Sequence, residues 1–234
     1  MIAIFKREFK AYFTSPLGYL VIAVLALFEG LSFIYMYAAG YAENEYVLTA
    51  QTSWVAIAIP VLTMRLFSEE RRQKTDQVLL TSPVSLWGIV FGKFLASFAV
   101  FAIGFAPTFI YQMILTTKVE ALNWLLYLGA LFGMMLYGAA LIAICMFISA
   151  LTESQVVAAV ISLVVSMVLI NIDSLAQMTG FSFIINLSGY LSFLGRYNAF
   201  YMGYLDFSNI VYFASVAFLF MFLSVRMLEK KRWA

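Results

Sequence analysis

The chain has 234 residues, of which 64% are hydrophobic and only 11% charged, and its formal net charge is +2. A soluble domain of this length cannot bury so much apolar surface, so the composition predicts a membrane protein. Crossing the roughly 30 Å hydrocarbon layer takes about 20 helical residues, which allows half a dozen spans and leaves little room for a soluble catalytic domain. With no histidine and one cysteine, Cys145, the sequence excludes a disulfide framework, a histidine-ligated metal and a serine triad.

Residues 1–16 predict an amphipathic helix that lies along the membrane surface. One stripe of a helical wheel collects the apolar side chains Ile2, Phe5, Phe9, Tyr12 and Phe13, and Lys6, Arg7 and Lys10 lie beside it. Thr14, Ser15 and Pro16 end this helix. Two roles stay open together: an anchor that sets orientation, and a helix that also frames a dock for a partner protein.

Six apolar runs follow, and each is long enough to span the bilayer. The sequence therefore predicts an all-α fold: a polytopic membrane protein in one domain, residues 1–234, with six transmembrane helices after the interfacial helix. The predicted spans are Leu17 to Gly40, Val47 to Phe67, Leu86 to Leu115, Ala121 to Leu151, Val156 to Ile172 and Phe207 to Val225.

Glu29 is the one acidic residue in the middle of a predicted span. A carboxyl at that depth is costly, and such residues face a bundle interior or an aqueous path. A structural role as a hydrogen-bonding group is the alternative, and the sequence leaves both open. Two prolines, Pro60 and Pro107, interrupt the second and third spans as tolerated kinks or as hinges.

Several motif-like patterns are set aside. The run from Gly88 to Phe94 is one residue too short for a phosphate loop and lies in an apolar span, so no catalytic residue and no nucleotide or metal site is expected in this chain. The pairs Gly88 with Gly92 and Gly129 with Gly133 are spaced for close helix packing, for which an intramolecular role is favoured.

Lysine and arginine predict the orientation. Twelve of the fourteen fall on one side of a six-span chain, which makes both termini and the segment from Ser68 to Ser85 cytoplasmic. Only Lys118 and Arg196 fall on the other side. Because the basic residues follow span boundaries and form no solvated face, no nucleic-acid partner is expected.

The segment from Arg65 to Lys93 is the most informative part of the sequence. It reads RLFSEERRQKTDQVLLTSPVSLWGIVFGK, a charged stretch followed by a short apolar patch that ends at Pro83. This pattern resembles the permeases of ABC-2 type transporters, and most closely those of the gliding-motility and nitrous-oxide-maturation kind. A second match is RYNAFYMGYLDFSNIVYF, from Arg196 to Phe213, which resembles the external segment before the last span. In the family, the position before Thr75 is usually glycine, whereas this chain has Lys74.

The resemblance implies a fold, partners and a coupling site. The fold is the ABC-2, type V exporter-like permease fold, in the cell inner membrane, and residues 68–85 are the segment that couples to a separate ATPase subunit. ATP and Mg²⁺ then belong to that ATPase, and a second permease, identical or related, and membrane lipid complete the assembly. The implied coupling residues are Glu69, Glu70, Arg71, Arg72, Lys74, Thr75, Asp76, Val78, Leu79 and Leu80.

Residues 173–206 are expected outside the cell. The segment is rich in Phe, Leu, Ile and Tyr, so short helices that dip back into the outer leaflet and pack on protein are predicted.

Two functions remain open: a transporting permease whose substrate the sequence does not define, and a non-transporting anchor or force-transmitting subunit that still docks an ATPase.

Overall fold

The computed structural model describes residues 1–40, 44–73, 85–117 and 123–232. Every regular element in these ranges is an α-helix. The helices are α1 (Ile2–Thr14), α2 (Pro16–Ala38), α3 (Asn44–Thr63), α4 (Ser68–Arg72), α5 (Leu86–Gly104), α6 (Ala106–Thr116), α7 (Trp124–Leu151), α8 (Gln155–Thr179), α9 (Ser182–Leu191), α10 (Phe193–Tyr201) and α11 (Phe207–Arg232).

The prediction of six membrane spans is confirmed. The helical stretches long and apolar enough to cross a bilayer are Pro16–Ala38, Glu45–Arg72, Leu86–Thr116, Trp124–Leu151, Gln155–Thr179 and Phe207–Lys230. The fifth continues to Thr179, beyond the predicted end at Ile172. Asn171 does not end it, because its side-chain amide donates to the Met167 carbonyl inside the same helix (2.9 Å). The helix ends instead at Gly180, which has a left-handed φ of +68°.

Helix α7 forms the centre of the bundle, and 72% of its most apolar stretch of 18 residues is buried. It packs against α3, α8, α10 and α11. Glycines permit this close packing: a Cβ on Gly133 would stand 2.6 Å from Phe200, and one on Gly138 would stand 2.2 Å from the Phe101 ring. Gly133 therefore serves packing within the chain, as the sequence favoured.

The two span prolines behave differently. Pro60 lies inside α3, which continues to Thr63, and the Thr63 hydroxyl donates to the Ile59 carbonyl (2.8 Å). Pro107 marks a true break, because α5 ends at Gly104 and α6 begins at Ala106 with the proline in its first turn. A proline is well tolerated in that position, where its missing N–H would have no helical partner.

The bundle has two different ends. At one, which we call the charged end, α1 and α4 meet the start of α5, the end of α7 and the start of α8, through side-chain contacts such as Arg7 with Glu70 and Arg71 with Glu153. The later part of α11 lies at this same end, because Trp87 at the start of α5 packs against Phe218 and Phe222. The opposite end, the far end, carries α9 and α10.

Helices α9 and α10 occupy most of the segment for which short helices were predicted. Helix α9 packs on α8, and α10 packs on α7. The rings of Phe193 and Tyr197 each lie 5.9 Å from the ring of Tyr137, which is midway along α7. The pair therefore forms a hairpin whose tip reaches the middle of the bundle, and its tip is held where Ser192 donates a hydrogen bond to the Asp173 carboxylate. The external position of this segment remains a prediction.

Cysteine labelling tests that position. In a Cys145→Ala background, Ser182→Cys lies on an exposed part of the hairpin and should react quickly with an impermeant maleimide added outside the cell. Ser192→Cys lies at the buried tip and should react at least tenfold more slowly. Both should label fully after detergent denaturation. Rapid labelling of Ser182→Cys only from the cytoplasmic side would reverse the predicted topology.

Candidate functional site at the charged end

Helix α1 is fastened to the bundle by two buried side chains. The Tyr12 hydroxyl donates to the Leu62 carbonyl at the end of α3 (2.8 Å) and lies 3.0 Å from the Ser97 hydroxyl of α5. Ile4 packs on Gly92, where a Cβ would stand 3.1 Å from the Ile4 side chain. The predicted apolar stripe contains Tyr12 but not Ile4, and Ile2 is largely exposed. The helix thus docks on protein through one face and leaves Phe5, Phe9 and Phe13 partly buried.

The Lys93 ammonium is the most deeply buried charge at this end, with 1% of its side chain exposed. It donates to the Leu66 carbonyl (2.7 Å) and pairs with the carboxylates of Glu8 (3.2 Å) and Glu70 (2.9 Å). These three partners belong to α1, α4 and the turn after α3. A buried ammonium has three donors to satisfy, and here each of them has an acceptor.

Arg7 completes a four-membered ion network. Its guanidinium lies 2.6 Å from Glu8 and 2.9 Å from Glu70, so both carboxylates contact both cations. Two positive and two negative charges balance. Burial alone would raise the pKa of the Glu8 carboxyl, but the charges of Lys93 and Arg7 outweigh it and hold that pKa below its ordinary value.

Helix α4 is also fixed to the end of α7. The Ser149 hydroxyl accepts from the backbone N–H groups of Phe67 (3.2 Å) and Ser68 (3.3 Å), and it donates to the Met64 carbonyl (3.0 Å). N–H groups at the start of a helix have no acceptor within that helix, so Ser149 caps α4 from another helix. On the next turn, Arg71 pairs with Glu153 (2.9 Å) just after α7.

A cavity of about 490 Å³ opens beside the network, between α1 and α4. Its wall includes Arg65, whose guanidinium donates to the Ser15 hydroxyl (2.9 Å) and lies over the Tyr12 ring. The other lining residues are Arg7, Glu8, Ala11, Thr14, Ser15, Leu66, Glu69, Glu70, Gln73 and Lys93. A charged, open depression of this kind suits the rim of a contact with a soluble protein.

The structure separates the residues predicted for ATPase coupling into three groups. Glu70 and Arg71 are held in the intramolecular ion pairs described above. Glu69 accepts from the Gln73 side chain (3.3 Å) on the cavity wall, and Arg72 is exposed. Six further predicted residues lie outside the described part of the chain, namely Lys74, Thr75, Asp76, Val78, Leu79 and Leu80, and their role stays a prediction.

Three residues that organise this site were not singled out from the sequence: Glu8, Lys93 and Ser149. Lys93 had a usable signal, because a lysine seven residues into an apolar helix requires a counter-ion. Its partners had none, since they lie 85 residues before it in α1 and 23 residues before it in α4. Glu29, the predicted intramembrane polar residue, lies elsewhere, fully buried on α2.

The fold and this site define the class of the protein. Five long apolar helices around a sixth, buried one, with short helices packed at both ends, describe a multi-pass helical membrane protein. The chain belongs to the family described as ABC-2 family transporter protein, whose profile matches residues 2–228. It is thus a permease of the ABC-2 kind. A comparison with curated proteins gave no match.

Removal of the Lys93 charge tests the network. In Lys93→Met, the carboxylates of Glu8 and Glu70 would remain together in a largely buried position with only Arg7, and breaking a buried ion pair costs about 3 kcal/mol. The midpoint temperature of thermal unfolding should therefore fall. It is measured from the reaction of a thiol dye with Cys145, which is buried in the folded chain. Lys10→Met on the exposed side of α1 is the matched control and should change little. Equal melting of the two variants would contradict the network.

The lowered pKa of Glu8 predicts a dependence on pH. The stabilising effect of a carboxylate whose folded pKa is depressed is complete above its unfolded value and is lost as the pH falls through the folded value. Tryptophan fluorescence during thermal unfolding should therefore show loss of stability below an ordinary glutamate pKa of about 4.5. Glu8→Gln should be less stable at neutral pH and show a flatter acid limb. An unchanged acid limb in Glu8→Gln would contradict this assignment.

Proposed function

We propose that this chain is the membrane-spanning subunit of an ABC-2 transporter and that a separate ATPase subunit acts on it at the charged end. Family membership supports the permease role. The observation that carries the coupling proposal is the attachment of α4, which is joined to α1 and α5 through Lys93 and to α7 through Ser149. A force applied at α4 would move these helices together.

The proposed orientation places the charged end in the cytoplasm. Twelve of the fourteen lysine and arginine residues are predicted on that side, which the positive-inside rule makes cytoplasmic. An ATPase that uses cellular ATP would also act from the cytoplasm. Both termini would then be cytoplasmic and the α9–α10 hairpin external, in the cell inner membrane. ATP and Mg²⁺ would be bound by the ATPase and not by this chain.

A second permease, identical or related, would complete the transporter. Helix α8 supports this proposal, because only 22% of its most apolar stretch of 18 residues is buried within the chain. Its outward side chains include Val156, Val160, Ile161 and Val164, which face either lipid or a partner helix. On the resemblance of the segment from Arg65 to Lys93, we also propose that the transporter is of the gliding-motility or nitrous-oxide-maturation kind.

The decisive variant pair compares apolar and charged residues of the coupling segment. Leu79→Ala with Leu80→Ala removes two proposed buried anchors and should weaken ATPase binding by about 2 kcal/mol or more. Neutralising the rim charges in Glu69→Gln with Arg72→Gln should cost less, since rim pairs tune encounter more than affinity. Glu70 is left intact because its loss would also disturb the ion network. Binding is measured by copurification with a tagged ATPase, together with the stimulated rate of ATP hydrolysis.

Protease accessibility first confirms that each variant keeps its orientation. Wild-type binding and wild-type stimulation in the double alanine variant would contradict the coupling assignment and turn attention to α1 around Phe5 and Phe9. Transport is tested separately from docking, by substrate flux in proteoliposomes that contain the assembled complex. ATP hydrolysis without flux would favour the alternative, a force-transmitting subunit.

A further inference from the structure

A second cavity opens at the far end, where the α9–α10 hairpin meets the end of α8 and the start of α11. Its volume is about 600 Å³, within the range of roughly 300–1,000 Å³ that small-molecule sites occupy. The polar side chains that line it include Asp173, Gln177, Tyr190, Ser192, Arg196 and Asn209. The cavity therefore brings one carboxylate and one guanidinium to the same space.

The Asp173 carboxylate faces this cavity with capacity to spare. One of its oxygens accepts a hydrogen bond from the Ser192 hydroxyl, which is 2% exposed. It forms no ion pair with Arg196 or with another cation in the described part of the chain. Because an ionised carboxylate accepts through both of its oxygens, the second oxygen is available to a donor from outside the chain.

The Arg196 guanidinium is fixed in position but not saturated. Its Nε and one terminal nitrogen donate to the Tyr190 carbonyl (3.2 and 3.0 Å), and the other terminal nitrogen donates to Oδ1 of Asn209 (3.1 Å). Its plane lies over the ring of Tyr212, 4.1 Å from the centroid. A guanidinium has five N–H groups, so two remain, and the amide nitrogen of the buried Asn209 has no acceptor among the described residues. These donors suit an anionic group.

The cavity lies at the level where the hydrocarbon layer ends. Glu153, the exposed ion-pair partner of Arg71, comes just before α8, so the hydrocarbon begins near Gln155. Asp173 follows Gln155 by 18 residues, which is about 27 Å along the helix. A hydrocarbon layer of roughly 30 Å therefore ends close to Asp173. Phospholipid headgroups occupy the level just beyond it.

Exposed apolar side chains surround the cavity. Phe183 on α9 and Phe207 at the start of α11 are 77% and 76% exposed. A groove of about 260 Å³ follows the neighbouring side of α9 and is lined by aliphatic residues such as Val168, Leu175 and Leu187. Such a surface is unfavourable in water but is covered by acyl chains in a bilayer. The ligand best placed to enter the cavity is therefore one that the bilayer itself carries.

We propose that this cavity binds the headgroup of a phospholipid that carries a primary amine. Asp173 accepts hydrogen bonds from the ammonium, and Arg196 and Asn209 donate to the phosphate, so each charge of the ligand meets the opposite charge. The proposal rests on the geometry of the cavity. It holds on either side of the membrane and does not depend on an ATPase.

Two other headgroups match the cavity less well. A choline headgroup has no N–H to donate to Asp173, and its usual recognition element is an aromatic cage. The ring of Tyr212 cannot contribute to such a cage, because its face is covered by Arg196. A glycerol headgroup carries no ammonium, so its phosphate would leave the charge of Asp173 uncompensated.

The experiment titrates the purified full chain in detergent with phosphatidylethanolamine, phosphatidylcholine or phosphatidylglycerol of identical acyl chains. The signal is the midpoint temperature of unfolding, measured from the reaction of a thiol dye with Cys145. Because a ligand that binds only the folded state raises its stability, the ethanolamine lipid should raise the midpoint by about 3 °C or more. It should act at a concentration at least tenfold lower than the other two lipids, and native mass spectrometry should retain one such lipid per chain.

Three variants make the test specific. Asp173→Asn keeps an oxygen that accepts from Ser192 but removes the charge, so the preference for the ethanolamine lipid over the choline lipid should disappear. Asn209→Asp keeps the bond from Arg196 but places a negative charge beside the phosphate, so binding of both lipids should weaken at least tenfold. Asp206→Asn is the control: this exposed acid caps α11 at the same end, asparagine preserves the cap, and the preference should remain.

Three results would overturn the proposal. One is an equal response of the wild-type chain to the ethanolamine and choline lipids, and another is a preference that survives in Asp173→Asn. The third is an equally strong response to glycerophosphoethanolamine, the same headgroup without acyl chains, which would identify a soluble ligand in place of a lipid. If Asp173→Asn does not fold, Asn209→Asp and the lipid preference of the wild-type chain decide. No ATPase is present in the assay, so its outcome is separate from that of the docking experiment.

Discussion

The burial of the Lys93 ammonium is the interaction on which the charged end depends. A lysine inside an apolar helix is tolerated only with close acceptors, and these come from α1, α4 and the turn after α3. Its charge therefore requires the three elements to stay together. A short surface helix such as α4 would be unstable alone, and its position is set by this pairing and by the Ser149 cap.

The two ends of the bundle solve different physical problems. At the charged end, every charge in the network has a partner of opposite sign, and these pairs join α1, α4 and α5. In the far half, the oxygens of Glu29, Gln51 and Gln112 have no complete set of partners within the described chain. Between them, the small residues Gly133 and Gly138 of α7 let neighbouring helices approach closely.

The sequence predicts well what depends on local pattern. The six spans follow from length and hydropathy, and Glu29 stands out as a lone acid. The fifth span is longer than predicted because the polar groups of Asn171 and Asp173 are satisfied by Met167 and Ser192, contacts that hydropathy does not record. The Lys93 network could not be predicted, because its partners are brought together only by the packing of α1 against α5.

We propose that an ATPase engages the charged end as one connected body. Hydrogen–deuterium exchange of the permease, with and without its nucleotide-bound ATPase, tests this most directly. If it does, exchange should slow across residues 68–85 and in α1, which Lys93 joins to α4, and should not change in the α9–α10 hairpin. Protection confined to the far end, or unchanged exchange at 68–85 in a complex shown to be assembled, would contradict it.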